Sequence, residues 1–102
     1  MRYQVVLQFP GSSEDEFDQV IALEDELAAR LGDIGDVDGH DFGSGEMNVF
    51  VLTDQPVAAF EKAKEVVETS DLFAGFRAAY RARTGGDYRI LWPKNLKSFS
   101  VT

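Results

Sequence analysis

The chain has no cysteine. That absence removes disulfides, thiolate metal centres and thiol nucleophiles, and it suits a reducing compartment. Histidine and tryptophan occur once each, at His40 and Trp92. No apolar run approaches the roughly 18 residues of a membrane span. The first apolar stretch stops at Phe9-Pro10, too short for a signal-peptide core. The expectation is a cytoplasmic protein with no membrane partner. Its 102 residues are expected to form one domain, residues 1–102, with a core that needs no staples.

Positive charge is scarce in most of the chain. Residues 1–71 carry seventeen acidic and four basic side chains, net −13, whereas residues 72–102 carry one acidic and six basic, net +5, for −8 overall. A net negative charge repels phosphate backbones and anionic lipid and favours a basic partner. The acids of residues 14–18 and the run Glu24-Asp25-Glu26 fall on one expected helix. They either solvate its outer face or offer phosphate-like charge to a basic protein.

The chain reads as alternating elements. Residues 3–9 alternate Val5, Leu7 and Phe9 with Gln4, Val6 and Gln8, a strand ended by Pro10-Gly11. Ser13 followed by Glu16 matches a capping box, and Phe17, Val20, Ile21, Leu27, Ala28 and Leu31 recur at helical spacing up to Gly32. Residues 36–42 and the very apolar 47–52, joined by Gly43-Ser44-Gly45, read as a hairpin. A second helix begins at Asp54, taken as its N-cap, and Pro56, with Val57, Phe60 and Val67 inward. Leu72, Phe73, Phe76, Ala79 and Tyr80 continue helical spacing beyond a break at Thr69-Ser70-Asp71. Thr84-Gly85-Gly86-Asp87 reads as a turn, and residues 88–92 as the last strand. The tail, 94–102, is a candidate extra edge strand.

This order, βαββαβ, predicts an α+β fold of ferredoxin-like type: a four-stranded antiparallel sheet with two helices on one face. The first and third strands would be central. The polar, glycine-bearing 36–42 suits an exposed edge. One sheet face is then left bare, although 47–52 is apolar on both sides. Phe50, Leu52 and Trp92 are therefore candidate interface residues, covered by the tail or by a second copy in a homodimer.

The best candidate for chemistry is residues 36–46, with the only histidine, four carboxylates and three glycines between Asp36 and Glu46. A carboxylate fixes a histidine tautomer and raises its basicity. Asp38 and His40 share a strand face, and Glu46 across the hairpin would complete a ligand or metal site. A calcium loop fits poorly, because Met47 takes the position where such a loop needs glutamate. Ser12-Ser13 at a helix start has the form of a phosphate-binding turn, but four acids crowd it. Arg77 and Arg81, at i and i+4 on the expected helix, join Arg89 in a basic C-terminal face interleaved with Tyr80, Tyr88 and Trp92. An RNA-recognition sheet needs basic and aromatic residues on its third strand, and residues 46–51 lack them, which counts against nucleic acid.

The stretch 35–56, with Asp38-Gly39-His40-Asp41, Gly43-Ser44-Gly45-Glu46-Met47-Asn48 and Thr53-Asp54, is similar to a group of small uncharacterised bacterial proteins of about this length. The resemblance implies no substrate and no catalytic role. The leading expectation is an acidic, non-catalytic binding module that needs no cofactor and acts through protein–protein contacts. A small-molecule or metal site built on His40 is the rival, and weak nucleic-acid contact by the basic face is a third option.

Overall fold

The structure is a computed structural model that describes residues 1–101. The elements run β1 (Tyr3–Pro10), α1 (Glu14–Leu31), a 3-10 turn (Gly32–Ile34), β2 (Gly35–Gly43), β3 (Glu46–Thr53), α2 (Pro56–Glu68), β4 (Arg77–Ala82) and β5 (Gly85–Trp92). All strand pairs are antiparallel, in the spatial order β2-β3-β1-β4-β5. The architecture is α+β, with two helices and an open five-stranded sheet rather than the four strands expected.

Central position follows from strand chemistry. Val5, Val6 and Leu7 of β1 are all buried, so β1 needs cover on both faces and partners on both edges. It finds β3 on one side, with Val5 opposite Val51 and Leu7 opposite Val49, and β4 on the other, with Leu7 opposite Ala78. Val5, Leu7 and Phe9 share a core with Met47, Val49 and Val51. Both helices seal this face. α1 contributes Val20, Leu23, Leu27 and Leu31, and α2 contributes Ala59, Phe60, Ala63, Val66 and Val67. Ile21 and Val57, expected inward, are instead 45% and 51% exposed. The β2–β3 turn has positive φ at both central residues, Ser44 (55°) and Gly45 (77°), as a two-residue hairpin loop requires.

The largest departure from expectation is at residues 72–82. Helical spacing and four alanines favour a helix there, but Gly75 sits at φ 80°, a conformation that breaks helical progression. A side chain at Gly75 would also strike Pro10 Cγ at 2.7 Å. Past that corner Arg77–Ala82 runs as β4, because the second edge of β1 is worth more filled than the local helix preference is worth keeping. Ala78 and Ala79 are both fully buried, one on each face. The β4–β5 turn accordingly lies at Arg83-Thr84, since Ala82 pairs with Gly85, and not at residues 84–87.

Two smaller corrections concern ends. α2 starts at an N-cap of Gln55 with no side-chain cap. Asp54 instead accepts from the Arg2 amide at 2.8 Å. The tail forms no edge strand within residues 94–101; it crosses the sheet face that the helices leave open, where Ser100 O accepts from Gln8 Nε2 at 3.0 Å.

Candidate functional site

The acidic start of α1 is locked by its own cap. Glu16 N donates to Ser13 Oγ at 3.2 Å, while Glu16 Oε1 accepts from Ser13 N (3.1 Å), Ser12 N (3.2 Å) and Ser13 Oγ (2.8 Å). The Ser13 hydroxyl first, then the two amides, hold the Glu16 carboxyl below its ordinary value. The amides that a phosphate would need at Ser12-Ser13 are thus already engaged by Glu16.

This cap sets Phe17 on the flank of α1 that faces β2. Phe17 stacks on Phe42 (centroids 4.7 Å, interplanar 8°), and Phe42 stacks on His40 (4.4 Å, 12°). His40 Nδ1 meets Glu24 Oε1, so α1 closes the row at both ends. An ionised glutamate accepts, which puts the proton on Nδ1 and leaves Nε2 free of this contact. The His40 side chain is 38% exposed and that of Glu24 13%.

A β-bulge interrupts β2 just before His40. Val37 pairs with Val51, but the next pair is Gly39 with Phe50, so Asp38 is the extra residue. The two-residue turn sets one unbroken register from Gly43 opposite Glu46 to Gly39 opposite Phe50, in which His40 opposes Val49 and Phe42 opposes Met47, both on the helix side. His40 and Phe42 thus share a side, but Asp38, the extra residue, does not join them, so the shared face expected of Asp38 and His40 does not hold. The bulge is also the physical reason that Asp38 and His40 do not act as a pair.

Glu46 lies on the opposite sheet face, where Arg77 Nη2 approaches its Oε2 at 3.6 Å. The structure does not bring Asp38, His40 and Glu46 together. Among the described residues no group of three or more His, Cys, Asp or Glu is placed to hold a metal ion.

The remaining candidates separate. Phe50 and Leu52 lie half-buried on the open face, partners of Val6 and Gln4. Trp92 does not join them. It opposes Ala78 and stands on the helix side, against Phe73 (6.1 Å) and under Lys64 Nζ (4.3 Å). Arg77 and Arg81 share a face as expected, but of a strand and not of a helix. Arg81 lies over the Tyr88 ring (4.5 Å), while Arg89 opposes Tyr80 on the other side of the sheet. The three arginines do not make one face.

Glu24 and Phe17 are site residues that sequence reasoning missed. Phe17 was legible as an apolar position in an acidic first turn. Nothing in linear spacing ties Glu24 to His40, because the packing of α1 against β2 decides that contact. No family model matches the chain, and neither does any curated protein or solved structure.

Proposed function

We propose that the protein is a non-catalytic binding module whose seam between α1 and β2 docks a basic protein partner. The observation that carries this reading is the half-exposed Phe17–Phe42–His40 row beside Ile21 on an acidic helix. Ile21 is 45% exposed, and its neighbours on the outer face of α1 are the exposed Asp18 (i−3) and Asp25 (i+4). Apolar surface inside a carboxylate rim suits a segment that offers aliphatic carbon and Lys or Arg together. Stacked rings add a face for a cation. The acidic excess of residues 1–71 steers such a partner to this edge. We propose further that the fold is ferredoxin-like, extended by β5. The order β2-β3-β1-β4 of the first four strands, with helices after β1 and β3, supports that assignment.

The test is an amide chemical-shift titration of the intact protein with a short Lys/Leu peptide. Shifts are expected at Phe17, Asp18, Ile21, Asp25 and His40, fading as salt rises from 50 to 300 mM. Asp18→Lys with Asp25→Lys is expected to abolish them, and Ile21→Ala to weaken binding several-fold. Shifts spread evenly over the acidic surface, or absent at millimolar peptide, sink the proposal.

The His40–Glu24 contact favours one second reading, in which Nε2 serves as a base or single ligand for a small molecule. Millimolar zinc or manganese, then a metabolite mixture, tests it. It is rejected when the His40 ring resonances stay in place.

A further inference from the structure

At the opposite edge of the sheet from the acidic seam, we propose that the cleft between the start of β1 and the β4–β5 hairpin binds a free α-amino acid with an aromatic side chain, in its zwitterionic form. This inference does not rest on the docking seam.

Strand register builds the cleft. Val5 opposes Tyr80, which opposes Arg89, and in the next row Tyr3 opposes Ala82, which opposes Gly85. Val5 belongs to the helix-side core, so both rows point to that side. The second row is nearly bare beyond Tyr3: Ala82 offers a methyl group, and the space at the Gly85 Cβ position is open. No residue of either helix lines this corner. What remains is a cavity of about 510 Å³, within the range of small-molecule sites, with Tyr3, Tyr80, Asp87 and Arg89 around it.

The cleft holds one charge of each sign. Asp87 stands midway between Gly85 and Arg89 on β5, in phase with both, so its carboxylate and the Arg89 guanidinium leave the strand on one side. Arg81 and Tyr88 belong to the other face, where the guanidinium lies over the ring at 4.5 Å. Among the described residues neither Arg89 nor Asp87 forms an ion pair, with the other or with a third group. Alternate residues of a strand lie about 6.6 Å apart. That spacing admits an ammonium and a carboxylate carried on one carbon, the first donating to Asp87 and the second accepting from the planar fork of Arg89. A lone anion is repelled by Asp87 and a lone cation by Arg89, whereas a zwitterion satisfies both.

The rest of the wall selects the side chain. Tyr3 and Tyr80 are half-buried and meet edge to face (5.8 Å, 78°), so two ring surfaces form a corner beside the bare row. A third ring seated over Ala82 and Gly85 extends that edge-to-face packing and covers apolar carbon. Arg2 also approaches the Tyr3 ring, at 5.9 Å, but Asp54 answers its charge at 3.9 Å. The balance of Arg89 against Asp87 is therefore left to the ligand.

The test is an amide chemical-shift titration of the full chain at physiological salt with four probes: phenylalanine, glycine, N-acetylphenylalanine and phenylalaninamide. Phenylalanine is expected to shift Tyr3, Tyr80, Asp87 and Arg89 and to bind at least tenfold more tightly than each of the other three, which lack the ring, the ammonium and the carboxylate in turn. Arg89→Ala is expected to bind phenylalanine and its amide alike, while Arg89→Lys keeps part of the preference. Asp87→Ala is expected to bind phenylalanine and its N-acetyl form alike. The four probes on the unaltered chain decide the proposal even where a variant does not fold, which thermal melts report. The proposal is overturned by no shift at millimolar phenylalanine, by shifts outside the cleft, by any of the three lesser probes binding as tightly, or by folded alanine variants that keep the full preferences.

Discussion

The two faces of the one sheet are built by opposite means. On the helix side, Val5, Leu7, Phe9, Met47, Val49 and Val51 are sealed by two helices into one apolar cluster. On the other side the same strands present Gln4, Val6 and Gln8 opposite Leu52, Phe50 and Asn48. That face is closed by a tail without secondary structure. There a buried amide pair carries the specificity: Gln8 Nε2 donates to Asn48 Oδ1 (3.0 Å) and to Ser100 O (3.0 Å), and Phe99 meets Tyr88 edge-on (5.0 Å). The difference teaches where stability and plasticity reside. The helix face is expected to carry the global fold, and the tail face to open locally.

The comparison breaks most visibly in the helix-side core. Leu27→Ala empties a fully buried position and is expected to cost about 2–5 kcal/mol in urea unfolding, with the tail face unaffected in relative terms. Ending the chain after Pro93 should cost less, about 2–3 kcal/mol, because it removes Phe99 burial and one acceptor of Gln8. That truncation also bares Phe50 and Leu52. A monomer-to-dimer shift in sedimentation is expected of it, and this is the form in which the open-face homodimer is testable. An equal or larger loss than for Leu27→Ala would reverse the ranking of the two faces.

Asn48→Ala leaves the Gln8 side chain without its buried partner and is expected to cost about 1–3 kcal/mol, with faster amide exchange in the tail. Ser13→Ala acts only on the helix layer, at about 1 kcal/mol by loss of the cap. The smallest effect is acid titration of Glu16. Its carboxyl is held below the ordinary value, so its contribution is fully present above that value and is lost as pH falls through the lower folded one. The Ser13 amide resonance should follow that step, and Ser13→Ala should shift it toward the ordinary glutamate range.

Local signals in the chain and the structure agree where one pattern decides alone. The strand at 3–9, the Ser13/Glu16 box and the Ser44-Gly45 turn were legible because each needs only neighbours in sequence. Residues 77–82 were not, since Ala78, Ala79 and Ala82 favour a helix until β1 supplies an edge to pair with. Trp92 fell on the unexpected face for a related reason: the slips in β5 shift its alternation relative to β4. Of the candidate site, His40 was legible as a lone titratable group. Its partner was not, because the packing of α1 on β2 makes that contact, while one inserted residue, Asp38, only takes its own carboxylate out of line with the ring.

That inserted residue has a counterpart. Register jogs occur at Val37/Gly39 in β2 and opposite Tyr80/Ala82 in β5, the two outermost strands, while both pairings of β1 run unbroken. A foreign chain laid along either rim meets a ladder whose amides fall out of step. The sheet is thereby a poor template for edge-to-edge strand addition at either rim.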